Sequence, residues 1–361
     1  HVHPDHYDER FFNFRKDIPI LVMDHGFNFL HKNLTKAGYT NLIKIKDGET
    51  KSFKDFKCSI FAPFVGNNYF EENTKVGNLI DSALILKTDG QTIFNANDNT
   101  PDVKACNMLK EKFGKFDLSM LNYNAAGPYP SCFDNLSEEE KFEEHNKNLE
   151  RNINYLKDNL EVLESKYFLP FAGAYVIGGS KYFKNKYLGT TSWDDCAERI
   201  KKFTHLKTET ICLRENDVFD LDTGKSDNEY VPIDEDEIKN YIENQLSDIK
   251  YPYEKLDYPD IEGLHQDLHN SIKALNERNK RIRIVPDMDV YVFIEDEAFN
   301  ICRCEKPKGR LECRLDPRLL KQILNREAHW NNAEIGCHID FHRSPNYYSP
   351  DIHTMLQFLH L

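Results

Sequence analysis

The first residues able to do chemistry stand at the start of the chain, where His1, His3, Asp5 and His6 fall within six positions. Three imidazoles and a carboxylate so closely spaced point to metal binding. In an extended turn alternate side chains face the same way, so His1 and His3 can share one ion while Asp5 and His6 turn toward a second. Imidazole nitrogen combined with carboxylate oxygen suits zinc, iron or manganese. A purification tag accounts poorly for the cluster, because Pro4 and Asp5 interrupt it. Held there, a divalent ion lowers the pKa of water toward about 7 and polarises an attacked carbonyl or phosphoryl oxygen. Asp5 is the candidate to orient that water or to act as general base. A second carboxylate, Asp98, follows the apolar segment Thr92-Ile93-Phe94. A loop carboxylate after a buried strand can point into a cleft, or it can cap the helix expected after Pro101. Tyr123, Tyr129 and Tyr175 lie in loops after apolar segments and are candidates for the walls of a substrate pocket.

These side chains need a scaffold. Short strands are expected at Ile18 to Val22, Leu42 to Ile45, Cys58 to Pro63 and Ser82 to Lys87. Asp89-Gly90 is a tight-turn signal that returns the chain as a hairpin at Thr92 to Phe94. Helices are expected at Phe27 to Ala37, Asp102 to Phe113 and Ser137 to Leu163, the last opened by the capping box of Ser137 and Glu140. Further strands follow at Leu118 to Asn122 and Tyr167 to Phe171. Alternating strands and helices with one hairpin indicate an α/β domain with a mixed sheet over residues 1–204. Residues 215–260 are rich in Asp, Glu and Asn with few large aliphatics, and 205–281 reads as a linker or helical excursion. Residues 282–361 read as a small α+β domain. Its strands are expected at Val290 to Glu295, Ala298 to Cys304, Arg310 to Leu315 and Ala333 to Phe341, with helices at Pro317 to Asn325 and Pro350 to Leu359. His338 and His342 alternate with apolar residues and would share one solvated or interface face of a strand.

The bulk properties narrow the function. Among 361 residues the net charge is -13. That argues against nucleic acid as the main partner, since phosphate binding needs clustered Lys and Arg. No apolar run approaches the roughly 20 residues of a membrane span. Nine scattered cysteines show no disulfide framework, which suggests reduced thiols and a cytoplasmic setting. Cys302, Cys304 and Cys313 lack a fourth ligand at zinc-finger spacing. No Gly-x-Ser-x-Gly elbow and no Gly-x-Gly-x-x-Gly loop is present. Because the chain begins with His and inside a motif, it reads as a fragment.

His1-x-His3-x-Asp5-His6 resembles the signature loop of the metallo-β-lactamase superfamily. Thr92 to Asn99 resembles that superfamily's later motif, whose Asp bridges two metals, and the position matches Asp98. Asn122 to Pro130 and Pro170 to Gly179, with Asn97-Asp98-Asn99, are similar to the β-lactamase-like domain of CMP-N-acetylneuraminate hydroxylases and their bacterial relatives. A more distant resemblance is to lactonase-type hydrolases. The resemblance covers roughly residues 1–200 and implies an αββα sandwich whose first strands lie upstream of His1. It implies a metal set of His1, His3, Asp5, His6 and Asp98, holding one or two ions of zinc or iron. The superfamily's third His is absent, since no His stands between His31 and His145. By position Asn78 or Asp81 is the substitute ligand. The superfamily's late His is absent from Phe171-Ala172-Gly173. Rieske iron–sulfur ligation needs Cys-x-His pairs, and no cysteine here forms one. A Rieske redox partner would therefore lie in other sequence. Three functions follow: a metallo-hydrolase of phosphoesters, lactones or amides; an iron hydroxylase of a nucleotide sugar fed by a Rieske partner; or a binding module with a degenerate metal site. The final hundred residues resemble a sterol-carrier-like unit, or serve as a plain packing module.

Overall fold

The computed structural model describes residues 6–7, 15–24, 28–64, 81–282 and 284–361. His1, His3, Asp5 and Asn78 lie outside them. Near the start a βαβ unit joins β1 (Ile20–Met23), α1 (Phe29–Lys36) and β2 (Leu42–Ile45), with the two strands parallel and Val22, Leu34 and Tyr39 at their core.

The main sheet has seven strands in chain order: β3 (Thr50–Ser52), β4 (Lys57–Phe61), β5 (Ala83–Lys87), β6 (Thr92–Asn95), β7 (Leu118–Leu121), β8 (Tyr167–Pro170) and β9 (Glu209–Thr210). From β3 to β6 it is an antiparallel meander, and from β6 to β9 it is parallel. Parallel neighbours require crossovers, which are α2 (Val103–Phe113), α3 (Glu138–Leu163) and α4 (Trp193–Lys201). The period-2 alternation turns Phe61, Ile85, Phe94, Leu121 and Phe168 to one face. There they pack with Leu109 of α2, Ile153, Leu156 and Leu160 of α3 and Ile200 of α4. The capping box is formed as expected, with Ser137 and Glu140 bonding each other's backbone N–H. The α/β class with a large mixed sheet agrees with the expectation.

Residues 205–281 hold more structure than a linker. They contribute β9 to the main sheet, a small hairpin of β10 (Phe219–Asp220) and β11 (Lys225–Ser226), α5 (Glu235–Tyr241) and the long α6 (Ile261–Ile282). Leu264, Leu268 and Leu275 of α6 are fully buried with the C-terminal residues. With partly buried Ile261 and Ile272 they form an apolar stripe at helical spacing, just past the acidic stretch 215–260. The last sheet runs β13-β12-β14-β15, from β12 (Asp289–Ile294), β13 (Glu297–Cys302), β14 (Arg310–Arg314) and β15 (Asp340–Ser344). Against it pack α6, α7 (Pro317–Leu324), α8 (Trp330–Ile335) and α9 (Pro350–Leu356). On this packing we propose that β9 closes the first unit and α6 belongs to the second.

The strand expected from Ala333 to Phe341 is a helix, a turn and a short strand instead. Trp330, Ala333, Glu334 and Cys337 are the buried positions, and their spacing is helical rather than alternating. His338 therefore sits in the connection before β15, and His342 on the strand itself, so the two do not share a strand face. The units meet along β15. Phe133 stacks on Phe341 with ring centroids 5.2 Å apart. The backbone of Cys132 to Asp134 also bonds that of Phe341. Among the described residues no helix is long and apolar enough to cross a membrane.

Candidate functional site

The carboxyl ends of β6, β7 and β8 carry three loops, at the edge where open α/β sheets place their ligands. Loop 96–100 is built by asparagines. Asn95 Oδ1 accepts the Asn97 N–H at 2.8 Å, and Asn97 takes a left-handed φ of 52°. Buried Asn99 anchors the loop to the end of β4. Its Oδ1 accepts the Phe64 N–H at 2.8 Å, and its Nδ2 donates to the Ala62 carbonyl at 2.9 Å. Thr100 donates to Asn122 Oδ1 at 3.1 Å, linking this loop to the one after β7. Asn124 in turn donates to the carbonyls of Gly173 and Thr191 at 3.0 and 2.7 Å, tying in the loop after β8. Gly173 is pressed there against Asn124, and its φ of 151° suits glycine.

On this scaffold Asp98 Oδ2 lies 3.0 Å from His6 Nε2, with both side chains partly exposed. The helix cap is a different residue: Asp102 accepts the Ala105 N–H at 2.7 Å. Asp98 is thus not the residue that caps α2. Two ligands each about 2.1 Å from one ion stand about 3 Å apart at the right angles of an octahedral shell and about 3.4 Å apart in a tetrahedral one, so the spacing is that of a direct hydrogen bond or of an octahedral edge. Among the described residues no group of three or more His, Cys, Asp or Glu is gathered at metal-binding distance. Asp81 is buried just before β5. The register pairing Leu84 with Asn95 sets it at the same sheet edge as Asp98.

Three adjoining cavities meet around loop 122–126. The first, about 490 Å³, is lined by Asp98, Asn122, Tyr123 and Arg151. The second, about 790 Å³, takes in His6, Asp98, Ala172, Gly173, Tyr175 and His338. The third, about 490 Å³, is lined by Tyr129, Arg151 and Arg343. Each tyrosine singled out in the sequence thus lines a different cavity. Burial pushes all three phenols above their ordinary pKa. At neutral pH they are hydrogen-bond donors rather than bases.

His338 and Arg343 escaped the sequence reading as site residues. No imidazole comes from Phe171-Ala172-Gly173, yet His338 reaches the same cavity from the C-terminal unit. Its ring packs edge-on against Tyr251 at 4.5 Å, and its Nδ1 lies 3.1 Å from the Tyr253 hydroxyl. Burial, then the charges of Lys181 and Lys184, lowers its pKa to about 4, so it is a neutral imidazole at physiological pH. Local pattern carries no signal for it, because its partners are 85 or more residues away. The surrounding charge is set by a buried seam. Lys184 Nζ contacts Cys132 Sγ and the Cys337 carbonyl, both at 3.2 Å, and pairs with Asp340. Burial pulls the Lys184 ammonium down, but Cys132 and Asp340 more than offset it and the net shift is upward.

No family model matches the chain. A stretch of 138 residues is 28% identical to a Mycolicibacterium smegmatis protein named as a Rieske 2Fe-2S iron-sulfur protein, covering 37% of this chain. A Mycobacterium tuberculosis protein of the same description matches at the same identity and coverage. The chain spans about a quarter (25%) of the length of these curated relatives. Among solved structures it is similar to a metallo hydrolase from Ignicoccus hospitalis, at TM-score 0.37 and 9% identity, over 63% of this chain and 75% of that one. It is similar to the metallo-β-lactamase-fold protein YhfI from Bacillus subtilis, at TM-score 0.37 and 12% identity, over 59% and 72% of the two chains. It is also similar to CmlA, a diiron β-hydroxylase from Streptomyces venezuelae, at TM-score 0.33 and 13% identity, over 51% and 36%. A protein described as having the metallo-β-lactamase fold thus stands among its structural neighbours.

Proposed function

We propose that the protein is a metal-dependent enzyme whose ion is held by His6 and Asp98 together with His1, His3 and Asp5. The observation that carries the reading is the 3.0 Å approach of His6 Nε2 to Asp98 Oδ2 at a cavity shared by both units. Asp81 or Asn78 completes the ligand set in place of the missing His. A bound divalent ion supplies Lewis acidity and a water of lowered pKa. The chain's own groups do the rest. Asp5 orients or deprotonates the attacking water. Protonated Tyr123, Tyr129 and Tyr175 donate hydrogen bonds to a small-molecule substrate. Neutral His338 offers the cavity a hydrogen-bonding imidazole that adds no charge. The small residues Ala172 and Gly173 leave room for substrate where a larger side chain would fill the cavity.

The reaction favoured is hydrolysis of a phosphoester, lactone or amide. The test is turnover of one chromogenic substrate of each class by the zinc-loaded protein and by Asp98→Asn. Loss of turnover in the variant is expected, and equal turnover in both would overturn the reading. A second reading, iron-dependent hydroxylation fed by a Rieske partner, draws support from the iron–sulfur description of the 28% identical relatives. Turnover that needs iron, dioxygen and a reduced Rieske protein would select it. The cytoplasmic setting belongs to the same proposal and is supported by nine cysteines that are all free.

A further inference from the structure

The third cavity holds a buried cation without an anion. Arg343, on β15, is only 5% exposed. Its Nε and Nη2 both donate to Asn346 Oδ1, at 3.0 and 2.5 Å. Its guanidinium lies 5.0 Å from the Tyr129 ring centroid and 4.6 Å from that of Phe133. No carboxylate forms an ion pair with it among the described residues. Aromatic faces and one amide compensate a buried charge only in part, and such charges normally find an anion. Arg343 nonetheless lines an open cavity of about 490 Å³ together with Arg151 on α3, which likewise forms no ion pair among the described residues. The one carboxylate on the wall, Glu144, is met by Lys147 at 2.6 Å. The result is a basic pocket in a protein of net charge -13. Ala125, Arg151 and Asn152 line both this cavity and the one containing Asp98.

We propose that this cavity is an oxyanion subsite, in which Arg343 and Arg151 hold a phosphate or carboxylate group of the substrate while its reacting end lies toward Asp98. Resting on the function proposed above, this assigns that enzyme an anionic small molecule as substrate. It also makes the C-terminal unit part of the site rather than an appendage. The planar fork of an arginine matches the oxygen pair of either group, and a lysine does not reproduce it.

The test is calorimetric titration of the full chain with inorganic phosphate and, separately, with acetate, at fixed ionic strength. The proteins are the wild type, Arg151→Ala and Arg343→Lys, with circular dichroism as the check on folding. Arg151 is exposed on a helix, so its removal leaves the fold intact even if Arg343→Lys does not. Saturable binding by the wild type is expected, weakened about tenfold in either variant, which corresponds to about 1.4 kcal/mol. Tighter binding of phosphate assigns a phosphorylated substrate, and tighter binding of acetate a carboxylate. No saturable binding to the wild type, or the same affinity in Arg151→Ala, would overturn the subsite. Asp98→Asn separates the two claims. If it loses metal while phosphate binding is untouched, both stand. Metal bound at Asp98 without anion binding sinks the subsite alone. Arginine-dependent anion binding in a protein that takes no metal upholds the subsite and sinks the enzyme reading.

Discussion

Two clusters of ionisable groups, the seam around Lys184 and the cleft with His6 and Asp98, are built differently. At the seam the Lys184 side chain is 4% exposed and fully engaged, by Asp340, Cys132 and the Cys337 carbonyl. At the cleft His6 and Asp98 are 24% and 31% exposed and face open space. A buried charge that is paired and hydrogen-bonded holds structure together, and removing one partner is strongly destabilising. A half-exposed pair on a loop contributes little to stability and is free to exchange its hydrogen bond for another ligand. The seam therefore reads as a fastening between units, and the cleft as the better place for the proposed site.

The comparison is broken most directly at Lys184. Lys184→Met leaves Asp340 with only Lys181 and strips Cys132 of its cation, and should cost about 4 kcal/mol. Urea denaturation measures it, and a loss within about 0.5 kcal/mol would class the seam as ordinary surface. Leu268→Ala comes next. If α6 belongs to the C-terminal core, deleting this buried side chain costs about 3 kcal/mol. If the helix were an excursion, the variant would be nearly neutral. A smaller effect follows from pH. His338 stays neutral in the fold down to about pH 4, whereas the unfolded imidazole gains its proton near 6.5. In that window the unfolded state binds more protons, so stability falls as pH drops from 6.5 toward 4. Allowing for partial exposure, the share of His338 is on the order of 1 kcal/mol. His145 and His360, also held down by burial, add to the same limb. His338→Gln should flatten that limb and leave stability above pH 7 nearly unchanged. An unaltered limb would mean that His338 is more solvated than its packing indicates.

Local chemistry explains what could be read in advance. Asp89-Gly90 announced the β5–β6 hairpin, Ser137 and Glu140 the start of α3, and Leu42 to Ile45 a strand with those bounds. Asp98 was singled out because it follows a strand of recognisable type. The failures are non-local. Asn99 and Asn124 appear as ordinary loop residues until three separate loops converge on them. His338 and Arg343 acquire meaning only where residues 129, 133, 251 and 253 arrive from elsewhere in the chain. The stretch from Ala333 to Phe341 misled because a short apolar run serves helix and strand alike until its partners decide.

The central claim is that His6 and Asp98 are metal ligands. Elemental analysis of the purified protein beside His6→Ala and Asp98→Ala tests it most directly. Near-stoichiometric zinc or iron in the wild type, lost in both variants while urea midpoints stay the same, is the predicted result. Metal content unchanged by either substitution, or a wild-type protein that takes up no divalent metal, would contradict it.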